Sequence, residues 1–250
     1  MWSKLRFAVK VDSLWSCLAG FFIFTFAGKN MRALLLFFIV LSVAFVAQKK
    51  KRIIFFGDSI TQQGAERGGY ITRIDSLCKL AGKTADFEFI GSGISGNKVY
   101  DLYLRLEDDV LTRDPNVVVI YIGVNDVWHK VSAGTGTDAD KFERFYSAIL
   151  KQLKDKNIKA VLCTPAVIGE KTDFTNQQDG DMNRYANIVR TLAQKNNLPL
   201  VDLRQNFIDY NKQNNIENKE AGILTTDRVH LNGRGNQVVA EEIWKILEKI

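Results

Sequence analysis

This chain of 250 residues contains only two histidines, His129 and His230, and only three cysteines. Two histidines far apart in sequence, no paired cysteine motif and no cluster of Asp and Glu at ligand spacing leave no metal site to predict. A Gly-rich phosphate loop is also missing, which together with the shortage of metal ligands disfavours a phosphoester hydrolase. We therefore expect neither a metal nor another cofactor, and any mechanism that needs a histidine must use one of these two.

Positive charge is in small excess once the first 47 residues are set aside. The formal net charge of the whole chain is +6, and residues 1–47 carry a surplus of four of these charges, which leaves about +2 for the remainder. No basic stripe with interleaved aromatic residues stands out there. The sequence therefore predicts no nucleic-acid partner.

Residues 1–47 resemble a leader more than a folded domain. Met31–Arg32 precede the uncharged run Ala33–Ala47, which is the pattern of a signal peptide, and cleavage is expected after Ala44 or Ala47. The simplest interpretation is that translation begins at Met31 and that the protein is exported to the periplasm or secreted. Contact with a membrane is then expected only through this leader, ahead of one catalytic domain over residues 50–250.

Two features keep a membrane anchor open as the alternative. A second apolar stretch covers residues 18–27, although both runs are shorter than a spanning helix needs. The basic residues 49–52 also oppose export, because positive charge after an apolar run tends to stay cytoplasmic. Cysteine usage does not decide the compartment, since Cys17 lies in the leader and Cys78 and Cys163 are expected to be buried free thiols.

The segment Gly57-Asp58-Ser59-Ile60-Thr61 directly follows the apolar run Ile53–Phe56. A short run of β-branched and aromatic residues that stops at Gly and Asp is typical of a buried strand, and Ser59 then stands where a helix would begin. This places a hydroxyl beside backbone N–H groups that can face an oxyanion. Taken alone, the triplet is weak evidence, because Asp and Ser before a helix are more often simple N-caps and turn formers.

Three further segments follow in order: Gly91–Asn97 (GSGISGN), Tyr121–Asp126 (YIGVND) and Asp227–Asn232 (DRVHLN). With the first segment they resemble the four signature blocks of the SGNH hydrolases, also called the GDSL esterase family. The resemblance extends from Ile53 to the C-terminus. It implies that the residues of the family name are Ser59, Gly96, Asn125 and His230, with Asp227 as the acidic partner of the histidine.

The residues themselves supply a chemical reason for this set. A serine hydroxyl needs a neighbouring base that is held in one tautomer. Asp227 lies three residues before His230 and can accept a hydrogen bond from its Nδ1 while Nε2 faces Ser59, whereas His129 has no such partner in its own segment. The predicted catalytic residues are therefore Ser59, Asp227 and His230.

Acyl transfer also needs donors for the developing oxyanion. The candidates are the backbone N–H groups of Ser59 and Gly96 and the side-chain amide of Asn125, which follows a strand-like run. Asp58 and Asp126 are expected to act only as local acceptors for turn N–H groups. Trp128 and His129 could line a substrate pocket or simply pack.

Strand-like and helix-like segments alternate after Lys49, which predicts a parallel sheet covered by helices on both faces. The predicted strands are Ile53–Phe56, Phe87–Ile90, Val117–Ile122, Ala160–Cys163 and Leu200–Val201. The predicted helices are Gly69–Leu80, Lys98–Leu111, Ala139–Lys154, Met182–Lys195 and Gln237–Ile250. The resemblance implies the same α/β class, a three-layer α/β/α sandwich with a five-stranded, flavodoxin-like parallel sheet. Every candidate catalytic residue then falls on one rim of that sheet.

The sequence therefore predicts a serine esterase that removes small acyl groups, most simply acetyl, through an acyl-enzyme. Its expected partner is a small-molecule or glycan ester. Expected export, the polar connections predicted at Thr164–Asp181 and Asn206–Thr226, and the lack of an apolar lid segment together favour carbohydrate or cell-wall substrates. A lysophospholipase, short-chain lipase or thioesterase of the same family is the alternative. A carbohydrate-binding protein without activity stands last, since it would not need all five site residues, and the oligomeric state is left open.

Overall fold

Five parallel strands form one sheet in a computed structural model, which describes residues 49–250. The strands are β1 (Lys51–Gly57), β2 (Phe87–Gly93), β3 (Val117–Tyr121), β4 (Lys159–Cys163) and β5 (Leu200–Val201), and their order in the sheet is β2-β1-β3-β4-β5. All five predicted strands are confirmed. The predicted leader over residues 1–47, with its alternatives, lies outside the described residues; the mass of the mature protein would test it.

Parallel strands need crossover connections, and helices form these connections here. They are α1 (Ser59–Gly64), α2 (Tyr70–Leu80), α3 (Val99–Leu104), α4 (Leu106–Asp109), α5 (Val124–Ser132), α6 (Ala139–Asp155), α7 (Asp179–Asn196), α8 (Leu203–Asn214) and α9 (Gly233–Leu247), with a 3₁₀ turn at Leu111–Arg113. No helix in this part of the chain is long and apolar enough to cross a membrane.

Both faces of the sheet are covered, as the continuous apolar strands predict. Adjacent residues of a strand point to opposite faces. The ring of Phe55 packs edge-on against Tyr70 of α2, with ring centroids 5.8 Å apart, while the guanidinium of Arg105, beyond α3, lies 4.4 Å from the ring centroid of Phe56. Neighbouring side chains of β1 therefore contact helical segments on opposite sides, which gives the three-layer α/β/α sandwich.

The strand order also determines where a site can form. The chain leaves β1 toward β2 on one side and returns to β3 on the other, so the connections that follow β1 and β3 diverge. In open parallel sheets the crevice between such connections, at the carboxyl ends of the strands, is the usual ligand site. Ser59 follows β1 and Asn125 follows β3, so both lie at this crevice.

Three helix predictions need correction. The predicted helix Lys98–Leu111 is interrupted at Arg105 (φ −101°, ψ 8°), whose side chain is drawn toward the strand ends. The helix expected to begin at Ser59 is found as α1, whereas α5 had not been predicted, since it is short and follows closely on a strand. The first nine residues of the predicted connection Asn206–Thr226 belong to α8, a mostly polar helix whose buried side includes Leu203 and Phe207. Cys78 and Cys163 are buried and free, as expected.

Candidate active site

Ser59 is the first residue of α1, immediately after the carboxyl end of β1. Asp58 caps this helix, because its Oδ1 accepts a hydrogen bond of 2.9 Å from the N–H of Ile60. Gly57 allows the close approach of the next strand, since a Cβ there would lie 2.4 Å from the carbonyl oxygen of Tyr121. The Ser59 side chain is thereby held at the strand end, and the residue is only 6% exposed.

The structure brings the three predicted catalytic residues together. Ser59 Oγ lies 3.0 Å from His230 Nε2, and His230 Nδ1 lies 2.7 Å from Asp227 Oδ2. A carboxylate oxygen this close requires a proton on Nδ1, because two acceptors would repel. That leaves Nε2 as an acceptor for the Ser59 hydroxyl. The serine thus has a neighbouring base whose tautomer and orientation are set by the third residue.

Asp227 also shapes the backbone that carries His230. Its Oδ1 accepts hydrogen bonds from the N–H groups of Val229 (3.1 Å) and His230 (2.8 Å). The turn requires Arg228 to adopt φ +84°, a left-handed conformation that is uncommon for a residue other than glycine. Partial burial works to raise the pKa of Asp227, but the hydrogen bonds from His230 and Val229 outweigh burial and lower this pKa below its ordinary value. The carboxylate therefore stays ionised beside the imidazole.

The three predicted oxyanion donors belong to segments that are hydrogen-bonded to one another. The N–H of Ser95 donates to Gln62 Oε1 of α1 (2.8 Å), and Asn125 Nδ2 donates to the carbonyl oxygen of Asn97 (3.1 Å). Gly96, between these two anchors, has φ +77°. Among residues 49–250 no group accepts a hydrogen bond from the N–H of Gly96. That donor is therefore available to a substrate.

Arg105 is a structural brace of the site that the sequence did not reveal. Its guanidinium donates to the carbonyl oxygen of Gly57 (2.8 Å), to Ser92 Oγ and carbonyl oxygen (3.1 Å each) and to Asn97 Oδ1 (2.7 Å). It therefore joins the ends of β1 and β2 to residues 95–97, called here the Gly96 segment. The same side chain pairs with Asp109, four residues away, and this pair is the only part of the brace with a recognisable sequence spacing.

Two buried carboxyl groups flank the catalytic positions. Burial, together with a smaller effect of nearby Asp126, raises the pKa of Asp58 to about 7 against the hydrogen bond from Ile60. Burial likewise raises the pKa of Asp126 to about 7. Asp58 accepts from its own turn, as predicted, whereas Asp126 accepts from the N–H of Val99 (3.2 Å), which lies 27 residues away and begins α3. Asp126 thus links α5 to the helix that follows the Gly96 segment.

The shifted pKa of Asp58 gives a testable pH dependence of stability. Its folded-state pKa of about 7 exceeds the ordinary value of 3.8, so its stabilising contribution is present below about pH 4 and is lost as the pH rises through 7. Asn keeps the capping oxygen and carries no charge. We expect Asp58→Asn to gain stability relative to the parent protein between pH 5 and pH 8, by on the order of 2 kcal/mol.

Denaturant unfolding at the two pH values measures this gain. Asp202→Asn is the control: hydrogen bonds from Arg190 outweigh partial burial and lower the pKa of Asp202 below 3.8, so the effect of this substitution on stability should be the same at pH 5 and pH 8. An equal stability difference between Asp58→Asn and the parent protein at both pH values would contradict the expectation.

Trp128 and His129 are adjacent residues of α5, and Trp128 lies beside His230. The Trp128 ring is edge-on to the His230 ring, with centroids 6.4 Å apart, and it also packs on the core. Trp128 therefore both packs on the core and lies next to the site. Partial burial and nearby Lys98 lower the pKa of His129, which keeps its ring neutral. Their contact with substrate stays a prediction.

Within residues 49–250 there is no group of three or more His, Cys, Asp or Glu side chains that could hold a metal ion. A depression of about 520 Å³ lies at the amino ends of the strands, lined by residues such as Lys51, Asn116 and Lys159, and its lining includes no histidine or serine. Ser59, His230 and Asp227 lie at the opposite rim, together with the predicted oxyanion donors. The chemistry of this arrangement is that of acyl transfer through serine.

Comparison with known proteins adds an independent result. Residues 55–238 match the model of the GDSL-like Lipase/Acylhydrolase family. The chain is 27% identical over 206 residues to the acetylxylan esterase of Geobacillus stearothermophilus, a match that covers 76% of this chain and 90% of that protein. It is 22% identical over 204 residues to the isoamyl acetate-hydrolyzing esterase 1 homolog of Bos taurus, covering 79% of this chain and 82% of the relative.

Solved structures resemble the fold closely. The crystal structure of the acetyl xylan esterase AlAXEase has a TM-score of 0.77 and 60% sequence identity, and the match covers 78% of this chain and 99% of that one. A catalytic mutant of Axe2, the acetylxylan esterase from Geobacillus stearothermophilus, has a TM-score of 0.69 and 26% identity, covering 78% of this chain and 93% of the other. The 78% of this chain that each structure matches is close in length to residues 49–250.

Proposed function

The chain belongs to the GDSL-like lipase/acylhydrolase family, and we propose that it removes acetyl groups from acetylated carbohydrates, with Ser59 as the nucleophile. As a member of this family it is a carboxylic ester hydrolase with the α/β/α fold. The observation that carries the assignment of roles is the continuous arrangement Ser59 Oγ, His230 Nε2, His230 Nδ1 and Asp227 Oδ2, with contacts of 3.0 and 2.7 Å.

The reaction follows from these contacts. His230 Nε2 takes the proton of Ser59 as Oγ bonds to the ester carbonyl carbon, and Asp227 stabilises the imidazolium that results. The oxyanion that forms accepts hydrogen bonds from the N–H groups of Ser59 and Gly96 and from Asn125. When the C–O bond of the ester breaks, the leaving alcohol receives the proton from His230. A water molecule, deprotonated by His230, then bonds to the carbonyl carbon, the bond to Ser59 Oγ breaks, and His230 returns the proton to Oγ as the carboxylic acid leaves.

The substrate class rests on the relatives. Acetylxylan esterases and an isoamyl acetate esterase homolog share the acetyl group as the acyl part of their substrates. This chain is 60% identical to one acetyl xylan esterase over almost the whole length of that protein. Acetylated xylan is therefore the first natural substrate to test. The polar connection that follows β4 is consistent with a hydroxyl-rich substrate.

Turnover of p-nitrophenyl acetate, butyrate and octanoate by the full chain tests the acyl preference, and acetate release from acetylated xylo-oligosaccharides tests the alcohol part. We expect kcat/KM to fall by roughly ten-fold or more from acetate to octanoate, because a pocket that fits acetyl excludes a longer chain. A rise with chain length would instead favour the short-chain lipase or lysophospholipase alternative. Hydrolysis of the acetate ester without any release from the xylo-oligosaccharides would contradict the carbohydrate assignment.

A further inference from the structure

Glu170 is a buried carboxylate far from Ser59 in sequence, in the connection after β4. It is 1% exposed. Its Oε1 accepts hydrogen bonds from the N–H groups of Leu224 (2.6 Å) and Thr225 (2.9 Å), and its Oε2 accepts one from Ile223 (2.9 Å). Among residues 49–250 no Lys or Arg side chain forms an ion pair with it. Three backbone dipoles therefore take the place of a cation.

The three N–H donors stand at the base of the loop that carries Asp227 and His230. Thr225 pairs with Leu231 in an antiparallel bridge, and the N–H of Thr226 donates to the carbonyl oxygen of His230 (2.8 Å). The N–H of Asn232 closes the loop on the carbonyl oxygen of Leu224 (3.0 Å). If residues 223–225, which bind Glu170, moved, these hydrogen bonds would move His230 as well.

The neighbour of Glu170 holds the same loop at a second point. The N–H of Gly169 donates to the carbonyl oxygen of Arg228 (2.9 Å), between Asp227 and Val229. Arg228 is the residue held in the left-handed conformation, so this contact supports the strained turn. On the other side, Asn215 Nδ2 donates to the carbonyl oxygen of Glu170 (2.7 Å) and fixes its backbone. Residues 169–170 therefore contact the loop at its base and at its turn.

A buried charge is costly to fold, and a neutral side chain of the same size would avoid that cost. A carboxylate is nevertheless the one side chain of this length that offers only acceptors to three converging N–H groups. We propose that Glu170 is a positioning residue for the catalytic loop, which holds the His230 ring at hydrogen-bonding distance from Ser59. The proposal rests on the proposed function, since it assigns a purpose to the His230 geometry.

Glu170→Gln tests this in the full chain. The amide keeps one acceptor oxygen but sets an NH₂ group against at least one of the N–H donors. We expect kcat for p-nitrophenyl acetate to fall by about ten-fold or more with KM changed by less than about two-fold, since the loss affects the geometry of the base and not the binding of the ester. Asp202→Asn is the matched control: Asp202 also accepts a backbone N–H bond and pairs with Arg190, but it has no contact with the catalytic loop. It should lose stability and keep its kcat.

A direct readout separates positioning from simple destabilisation. The Nδ1 proton shared by His230 and Asp227 should give a downfield proton NMR signal, and His129→Asn identifies it because the chain has only two histidines. We expect this signal to broaden or disappear in Glu170→Gln and to persist in Asp202→Asn. If Glu170→Gln does not fold, Glu170→Asp, which keeps the charge and shortens the reach, is measured instead.

Unchanged kcat and an unchanged Nδ1 signal would overturn the proposal. A kcat loss that disappears at lower temperature, in step with the folded fraction, would overturn it as well. If the parent protein hydrolyses no acetyl ester, the proposed function fails, whereas the NMR comparison still tests the role of Glu170.

Discussion

Replacement of Ser59 by Ala should reduce kcat for p-nitrophenyl acetate by at least ~10⁴-fold, because removal of the nucleophile from a Ser-His-Asp arrangement leaves only the oxyanion donors and binding to act. The substitution removes one oxygen atom from a small, nearly buried side chain. The cap of α1 belongs to Asp58 and is left intact. A large loss can therefore be attributed to the chemistry and not to the fold.

The triad also predicts how the losses of activity in single variants combine in a double variant. Residues that act as one unit do not have additive effects, so Ser59→Ala with His230→Ala should be about as inactive as Ser59→Ala alone. Asp227→Asn should cost less than either single change, since it leaves the nucleophile and the base in place. Ser147→Ala, which removes an exposed hydroxyl bonded to its own helix, is the control and should leave kcat unchanged. Residual activity within about ten-fold of the parent protein in Ser59→Ala would contradict the nucleophile assignment.

The sheet and the candidate site residues could be predicted because their signals are local. Each strand contains a short apolar run, and Ser59, Gly96 and Asn125 each follow such a run within a few residues. Asp227 and His230 are three residues apart, so their contact is also set by one turn. Parallel strands then bring these separate segments to a common rim.

The supporting residues could not be predicted because their partners depend on the tertiary fold. Glu170 binds N–H groups that lie 53 to 55 residues further along the chain, and Arg105 binds a carbonyl oxygen 48 residues back. Neither contact leaves a pattern in the sequence. The interruption of the predicted helix at Arg105 has the same origin, because the hydrogen bonds of the guanidinium to the strand ends are formed only once β1 and β2 pair.

Loss of the amide of Asn125 should be the second large effect. We expect Asn125→Ala to lower kcat by roughly 10²–10³-fold with KM little changed, since a donor aimed at the oxyanion acts in the transition state and hardly at all on the bound ester. Asn125 is 2% exposed and lies in the first turn of α5, at the crevice beside β1. Asn125→Asp removes the donor at constant size and should be at least as slow. Steady-state kinetics with p-nitrophenyl acetate measure both variants.

A hydrogen bond of Asn125 offers a second explanation for a loss of activity in Asn125→Ala. Its Nδ2 donates to the carbonyl oxygen of Asn97, so the substitution could act by freeing the Gly96 segment and not by removing a donor from the oxyanion. Gln62→Ala separates the two causes, because it releases the same segment at Ser95 and leaves Asn125 in place. If Asn125 is an oxyanion donor, Gln62→Ala should cost no more than about ten-fold in kcat, the scale of one lost neutral hydrogen bond. Equal losses in the two variants would mean that Asn125 acts through the Gly96 segment, and the oxyanion would then depend on the N–H groups of Ser59 and Gly96.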